Sequence, residues 1–390
     1  MRKSYLLWGI LGLVALALAG FGGWLLTLPN PVSTAAPDVP PSETEAMLAS
    51  LKPPKRERPL VAIIGINDAT ETTDYMMPAG ILRRADVADV VMLATDAGPV
   101  KLYPALTVEP DATIAEFDAA HPEGADYVIV PAMSRDDDPA ALEWIRSQAD
   151  KGANIVAVCA GAKVLAAAGL LEGKRATSHW YYLERVLELS PTAIYVPDRR
   201  IVTDGKVTTT TGISASMPMM LTLIEAIAGR YKAEEIARDL GVEAWDTRHA
   251  SGAFRITRPF ATTVLTNRLA FWRNEELGIR LQPGIDEVSL ALIADAWSRT
   301  YRSSVSTIAG SSEPIESLSG LRLIPDQAGA VVAADHIVPT FPNRPPAVAL
   351  DETLAAIAAR YGERTMDVVA MQLEYPQAQE NMDARGAGTN

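Results

Sequence analysis

From Leu60 to Gly229, short apolar runs alternate with longer segments of helical pattern, and this alternation constrains the fold more than any other feature of the sequence. Short apolar runs are typical of parallel strands that are buried on both faces. Strands that alternate with helices predict an α/β fold, a doubly wound sandwich around a parallel sheet. The expected strands are Leu60–Ile66, Val90–Ala94, Asp126–Val130, Asn154–Val158 and Val207–Thr211, and the expected helices are Tyr75–Ala85, Pro139–Lys151 and Ala215–Gly229.

The strand Asn154–Val158 leads directly into Cys159, the only cysteine of the chain. The small residues Ala160, Gly161 and Ala162 follow, as a tight turn from a strand into a helix requires. A thiol at a helix N-terminus is placed where free N–H groups stabilise a thiolate. The alternative is a buried cysteine that acts only as a small apolar residue. We interpret Cys159 as a nucleophile because the sole cysteine falls at this turn.

Three segments around this turn resemble one known family. They are Val158–Gly161, Leu165–Trp180 and Thr211–Ala215. All three are similar to segments of the DJ-1/PfpI family, and most similar to the branch that holds isonitrile hydratases and the N-terminal domains of AraC-type regulators. The resemblance covers roughly Leu60 to Leu240. It implies the flavodoxin-like, class I glutamine amidotransferase-like form of the α/β sandwich.

The resemblance also implies roles for individual residues. Cys159 would be the nucleophile, and the backbone N–H of Ala160 would be an oxyanion donor. Asp74 stands four residues before Pro78, at the position of that branch's active-site carboxylate, and would exchange a proton with the thiol or the substrate. The alternative is that Asp74 is a solvated acid at the start of a helix, with no part in the site. The expected substrate-binding residues are Ala132, Met133, Gly161, Ile213 and Ser214.

Two roles stay open for His179, which lies near the expected pocket. It is either a catalytic residue or a residue that orders its loop through hydrogen bonds. A protease or glutaminase is disfavoured, because beyond His179 the sequence offers no histidine and acid aligned with the cysteine as a triad.

Three positions depart from the pattern of the family. The family's Gly-Gly after the third strand is replaced by Val130–Met133, the hydratases' Thr by Ala160, and a Gly-Ile-Asp segment by Ser216–Pro218. Two functions therefore stay open. One is a cysteine-dependent hydratase or hydrolase, like the isonitrile hydratases, that acts on a small electrophilic molecule. The other is a non-catalytic domain that binds or senses a small molecule in the same pocket.

The N-terminus has the pattern of an export signal. Arg2 and Lys3 precede an uncharged stretch, Tyr5–Leu26, that is long enough for a helix to cross a bilayer. We expect residues 1–28 to form a single-pass signal-anchor, with the globular part periplasmic or extracellular. A cleaved signal peptide, with Ala17–Ala19 at its cleavage site, is the alternative. The Pro-rich residues 29–59 are expected to be a spacer without a core of its own.

Composition argues against two kinds of partner. The net charge of −13 disfavours nucleic acid, whose binding depends on Lys and Arg. A single cysteine and four scattered histidines give no metal-ligand spacing, so neither a metal nor another cofactor is expected. The segment Tyr231–Val242 resembles the start of a helix-turn-helix, but acidic residues follow it. We assign it to the last helix of the first domain.

An internal repeat predicts the organisation of the C-terminal part. Pro99, Val100, Leu106, Val108, Pro110 and Asp111 recur at one constant offset as Pro314, Ile315, Leu321, Leu323, Pro325 and Asp326. We therefore expect a DJ-1/PfpI-like domain at 60–260 and a second, truncated copy without a cysteine at 261–375. The first domain would pair with this copy or with a second chain. Residues 376–390 are polar and rich in glycine, which predicts a disordered tail.

Overall fold

The chain is described by a computed structural model over residues 12–13, 16, 19–31, 35–329 and 337–375. The helices are α1 (Pro41–Ser50), α2 (Thr72–Ala85), α3 (Ile114–Ala120), α4 (Pro139–Asp150), α5 (Ala162–Ala167), α6 (Leu183–Leu189), α7 (Ser216–Ala228), α8 (Arg230–Leu240), α9 (Arg258–Leu269), α10 (Glu287–Ser298), α11 (Pro346–Tyr361) and α12 (Glu363–Leu373). A further helical segment covers residues 19–27.

The strands make one large sheet and three smaller ones. They are β1 (Leu60–Gly65), β2 (Asp68–Glu71), β3 (Asp89–Ala94), β4 (Val100–Tyr103), β5 (Thr107–Glu109), β6 (Ala112–Thr113), β7 (Tyr127–Val130), β8 (Asn154–Ala157), β9 (Arg175–Ala176), β10 (Ile194–Tyr195), β11 (Ile201–Asp204), β12 (Val207–Thr210), β13 (Glu275–Arg280), β14 (Ser303–Ala309), β15 (Ile315–Glu316), β16 (Arg322–Leu323) and β17 (Gln327–Ala328).

The central sheet confirms the predicted α/β sandwich. Its seven strands run in the order β11-β12-β8-β7-β1-β3-β6, and all neighbours are parallel except β11 and β12. Alternate residues of β1 point into two apolar clusters on opposite faces of the sheet: Val61 and Ile63 into one, Ala62 and Ile64 into the other. Burial on both faces explains why the central strands are continuously apolar in sequence.

Each predicted strand and helix begins and ends within three residues of the observed element. The segment that resembles a helix-turn-helix forms α8, whose Ile236 and Leu240 are buried in the first apolar cluster. It therefore serves as a packing helix of the domain, as the acidic residues after it indicated.

The prediction of a spacer is wrong for residues 41–59, which pack on the first domain. Met47 and Leu51, at and after the last turn of α1, are buried in the first apolar cluster. Tyr127 donates a hydrogen bond of 2.6 Å to the carbonyl of Leu51, and Arg56 pairs with the buried Asp126 at 2.6 Å. Although the segment is rich in proline, these apolar and ionic contacts order it.

The predicted boundary between residues 260 and 261 is also wrong, since it falls inside α9. At the N-terminus, none of the helices within the described residues is both long and apolar enough to cross a membrane. Much of the expected membrane segment, and the tail at 376–390, lie outside the described residues.

The C-terminal unit repeats the element order of the first domain at one spacing. The starts of β1, α2 and β6, at Leu60, Thr72 and Ala112, are matched 215 positions later by the starts of β13, α10 and β17, at Glu275, Glu287 and Gln327. In both units the last two helices are joined by one glycine of positive φ, Gly229 at 87° and Gly362 at 89°. The described part of the C-terminal unit contains no counterpart of β7, β8 or the cysteine turn.

The two units are joined through corresponding elements. Strand β5 pairs with β16 in antiparallel register, with Val108 opposite Leu323. Helix α2 packs on α10 so closely that a Cβ atom at Gly80 would lie 2.5 Å from the carboxylate of Glu287. One apolar cluster runs through both helices and continues into the C-terminal unit.

Two crossed ion pairs connect the same helices. Arg84 at the end of α2 pairs with Asp286, which caps α10, at 2.9 Å. Arg299 at the end of α10 pairs with Glu71, which caps α2, also at 2.9 Å. Arg84 and Arg299 are themselves 215 positions apart, so the contact has the pattern of a local two-fold axis.

We expect Arg84→Met to lower the free energy of unfolding by about 3–5 kcal/mol. The substitution keeps the aliphatic stem but leaves Asp286 and the fully buried Glu287 without the guanidinium that contacts both. Arg322→Met is the control: it removes an exposed ion pair with Glu109 across the same interface and should cost no more than about 1 kcal/mol. Urea unfolding followed by circular dichroism measures both, and equal effects would contradict the role given to Arg84.

Candidate active site

The turn after β8 places Cys159 in a strained conformation at the carboxyl edge of the sheet. Cys159 has a φ of 54°, a left-handed value that costs energy for a residue with a side chain. A 3-10 turn, Cys159–Gly161, then leads into α5. The Cys159 N–H donates to the Thr210 hydroxyl at 3.0 Å, which ties the turn to the neighbouring strand β12.

Gly161 makes this turn possible through a close approach of backbone to backbone. A Cβ atom at this position would lie 2.1 Å from the carbonyl oxygen of Val130 at the end of β7. Any side chain would therefore push the turn away from the sheet. The expected role of Gly161 in substrate binding is corrected to this packing role, since it faces β7 instead of the cavity beside Cys159.

Asp74, in the first turn of α2, is fully buried against the cysteine. Its Oδ2 accepts a hydrogen bond of 3.1 Å from the N–H of Ala132, and its Oδ1 has no partner among the residues that the structure describes. Burial raises the pKa of Asp74 to about 7, although the Ala132 N–H, Arg299 and the Cys159 thiol all favour the charged form. The alternative that Asp74 is a solvated acid is therefore wrong. Its carboxyl group lies at the site, and a pKa of about 7 leaves it half-protonated near neutral pH.

Glu71 and Arg299 form the floor of the site. One carboxylate oxygen of Glu71 accepts from the Asp74 N–H at 2.7 Å and from the Thr73 hydroxyl at 2.7 Å. The other pairs with Arg299, which also pairs with the buried Asp295 at 2.6 Å. Two buried carboxyl groups thus pair with one guanidinium, whose charge also acts on Asp74. Burial and the neighbouring Asp74 and Asp295 raise the pKa of Glu71 well above its usual range.

The thiol is held protonated by the same surroundings. Burial, and then the negative charges of Asp74 and Glu71, raise the pKa of Cys159 well above that of a free cysteine. This corrects the expectation of a thiolate stabilised by the helix N-terminus. The adjacent carboxyl groups outweigh the N–H groups because they act in a buried, poorly screened site.

His179 lines the cavity with both ring nitrogens engaged. Its Nδ1 accepts from the N–H of Tyr181 at 3.1 Å, and its Nε2 lies 2.9 Å from the carbonyl of Gln372, to which it donates. Burial lowers the pKa of His179 to about 4, so the ring is neutral at physiological pH. Of the two roles left open, the contacts favour the ordering one, because no ring nitrogen is left to act on a substrate.

The N–H groups near the thiol are unequally available. Those of Cys159 and Gly161 are used by Thr210 and by the Val158 carbonyl. The Ala160 N–H stands between them in the first turn of the helix, where N–H groups have no intrahelical acceptor. Across the site, Pro131 has no N–H and that of Ala132 is bound to Asp74. Ala160 is therefore the oxyanion donor that the arrangement supports.

A cavity of about 660 Å³ opens beside Cys159. Of the expected substrate-binding residues, Ala132, Met133 and Ile213 line it. Ser214 does not: its hydroxyl donates to the carbonyl of Glu374 at 2.6 Å, and it borders a separate cavity of about 250 Å³. The expectation for Ser214 is corrected because the C-terminal unit occupies its side of the loop.

Known proteins are similar to this chain over its first domain. Residues 61–226 match the model of the DJ-1/PfpI family. The isonitrile hydratase of Pseudomonas putida is 36% identical over 160 residues, which cover 40% of this chain and 67% of the hydratase. The chain belongs to the DJ-1/PfpI family. The HTH-type transcriptional regulator CdhR of Pseudomonas aeruginosa is 30% identical over 156 residues, covering 39% of this chain and 45% of the regulator. The structure of Drosophila melanogaster DJ-1beta is 26% identical and covers 48% of this chain and all of its own, with a TM-score of 0.44.

Membership of the DJ-1/PfpI family confirms the resemblance stated from sequence, and the structure adds residues that sequence reasoning missed. These are Glu71, Lys163, Tyr182, Arg268, Arg299 and Tyr301, all of which line the cavity. Only two left a signal: Glu71 is an acid at the cap of the helix that carries Asp74, and Arg299 stands 215 positions after Arg84. Within the described residues, no cluster of three His, Cys, Asp or Glu side chains could hold a metal ion.

We expect the alkylation of Cys159 by iodoacetamide in the native, full-length protein to have its pH midpoint above the ~8.5 of a free thiol. Asp74→Asn and Glu71→Gln should each lower this midpoint, because each removes a negative charge that raises the thiol pKa. Mass spectrometry of the single cysteine gives the rate at each pH. Glu143→Gln, an exposed acid of α4, is the control and should leave the midpoint unchanged. A wild-type midpoint at or below 8.5 would contradict the assigned protonated state.

Proposed function

We propose that this DJ-1/PfpI protein is a cysteine-dependent hydratase or hydrolase that acts on a small electrophilic molecule, such as an isonitrile, a nitrile-like or a carbonyl compound. The observation that carries the proposal is the contact between the strained Cys159 thiol and the buried Asp74, whose Oδ1 has no partner among the described residues. The similarity to the isonitrile hydratase of Pseudomonas putida supports the same reaction class.

The chemistry follows from the protonation states. Cys159 begins as a thiol, and Asp74 has a pKa of about 7, so its ionised fraction can accept the thiol proton as the sulfur attacks. A bond forms between Sγ and the electrophilic carbon. In a nitrile or carbonyl compound the negative charge develops on nitrogen or oxygen, where the Ala160 N–H meets it, and Asp74 returns the proton to that atom. In an isonitrile the lone pair develops on the attacked carbon, and Asp74 returns the proton to that carbon to give a thioimidate.

Water completes the reaction. It adds to the same carbon, the carbon–sulfur bond breaks, and the thiol regains a proton. With an isonitrile the net change is addition of one water to give an N-substituted formamide; with a nitrile it gives an amide. No redox partner is required, since all bonds form and break with electron pairs that remain on carbon, nitrogen, oxygen and sulfur.

A binding or sensing role without turnover is the second candidate. The raised pKa of Cys159 favours it, because a buried thiol is a weak nucleophile until it loses its proton. The loss of the second oxyanion donor at Pro131 and Ala132 points the same way.

We expect the full-length protein to convert at least one member of a panel of alkyl and aryl isonitriles and nitriles, with formamide or amide detected by mass spectrometry. Cys159→Ala should abolish turnover, and Asp74→Asn should lower kcat by about 100-fold or more, since the proton acceptor is lost. Lys206→Met, on the exposed surface, is the control. If the wild type binds panel members but releases no product, the binding role replaces the enzymatic one.

We further propose that the globular part lies outside the cytoplasm, held by the N-terminal apolar segment. Arg2 and Lys3 before the uncharged stretch support this orientation. Arg258 donates to the carbonyls of Leu25 and Leu26, so the end of that segment is tied to α9 beside the cavity. We expect alkaline phosphatase fused after residue 375 to be active in a bacterial host. An inactive phosphatase fusion with an active cytoplasmic reporter in its place would contradict the location.

Finally, we propose that the C-terminal unit is a degenerate second copy of the domain, which serves as a partner within the same chain. The common spacing of 215, the antiparallel pairing of β5 with β16 and the crossed ion pairs support this proposal. If Arg84→Met has no larger effect on stability than Arg322→Met, the crossed pairs no longer support it.

A further inference from the structure

Lys163 is a buried cation in the cavity beside Cys159. It lies in α5, four residues and about one helical turn after the cysteine, and only 8% of its surface is exposed. The turn that carries Cys159 leads directly into this helix, and Cys159 and Lys163 line the same space. The side chain lines the same 660 Å³ cavity.

The ammonium group of Lys163 lacks a polar partner. Its contact is with the ring of Tyr182, 4.4 Å from the centroid, and no hydrogen bond or ion pair to it occurs among the described residues. The carboxylate that most influences it, Asp136, is itself paired with Arg185 at 3.2 Å. A buried charge is costly unless an opposite charge or several hydrogen-bond acceptors meet it. A ligand that brings an anionic hydrogen-bond acceptor to the Lys163 ammonium group would compensate this charge.

The acids of the site do not cancel this positive charge. Glu71 lines the cavity, but its carboxylate is occupied by Arg299, the Thr73 hydroxyl and the Asp74 N–H. The rest of the wall is largely aromatic and apolar, apart from His179, Gln372 and a second cation, Arg268. It includes Tyr103, Trp180, Tyr181, Tyr182, Phe260 and Tyr301. A cavity of this volume is in the range that holds a drug-sized molecule.

We propose that the ligand of this cavity is an amphipathic carboxylate, with an aromatic or alkyl body against the aromatic wall and its carboxylate on Lys163. This inference deepens the proposed function, on which it rests for the reaction at Cys159, and makes Lys163 the residue that selects substrates by charge. The electrophilic carbon would lie between the carboxylate and the thiol.

The test compares two molecules that differ only in charge, 4-phenylbutyrate and 4-phenylbutyramide. Isothermal titration calorimetry on the full-length protein should show the acid binding at least tenfold more tightly than the amide. In Lys163→Met the acid should bind no more tightly than the amide. In Lys163→Arg the acid should keep most of its advantage in affinity over the amide, because the positive charge remains. Lys206→Met, an exposed lysine bound to the Gly152 carbonyl, is the matched control and should change neither affinity.

Equal affinities in the wild type, an unchanged preference in Lys163→Met, or no binding of either molecule would each overturn the proposal. This test is independent of the test of the catalytic proposal, because it measures binding without turnover. Charge selection together with an inert Cys159 would leave a carboxylate-binding protein. Turnover of neutral substrates without charge selection would leave an enzyme in which Lys163 has no part.

Discussion

Arg299 reaches from the C-terminal unit to Glu71, and both the joining of the units and the charge balance of the site depend on that contact. Glu71, Asp74 and Asp295 are all buried, and the guanidinium compensates one full negative charge among them. Burial raises the pKa of Asp74 to about 7, and the charge of Asp295 adds to the shift, while the Ala132 N–H and Arg299 oppose it. A residue outside the matched family segment thus acts on the protonation of a residue within it.

This balance leaves the resting site close to neutral. A thiol with a raised pKa and a half-protonated carboxyl group form a pair that can exchange one proton without changing the net charge of the buried site. A permanent thiolate would need additional cations, and Lys163, which lines the same cavity, has its own pKa lowered by burial. In the proposed reaction the thiolate therefore forms only when Asp74 takes the thiol proton.

The local features of the site could be predicted from the sequence, whereas those that depend on distant parts of the chain could not. The strand before Cys159 and the helix with Asp74 have periodicities that persist in any fold of this class, so they could be predicted. Arg299 is marked only by its spacing of 215 positions from Arg84, and its role arises only where α10 packs on α2. The prediction for residues 41–59 failed because it relied on local composition. Their proline content indicated a spacer, whereas Met47 and Leu51 are buried in the first apolar cluster and hold the segment on the domain.

The end of the C-terminal unit contacts the loops around the candidate site. Helices α8 and α12 both end at a residue of left-handed conformation, Gly241 in one and Glu374 in the other. Glycine is the residue that adopts this conformation without cost, so a glutamate there requires compensation. Its buried carboxylate accepts hydrogen bonds from the N–H groups of Gly212 and Trp180, in the loops that flank the cavity. The strained helix end is thus hydrogen-bonded to both loops, so that a residue of the C-terminal unit holds two loops of the first domain beside the cavity.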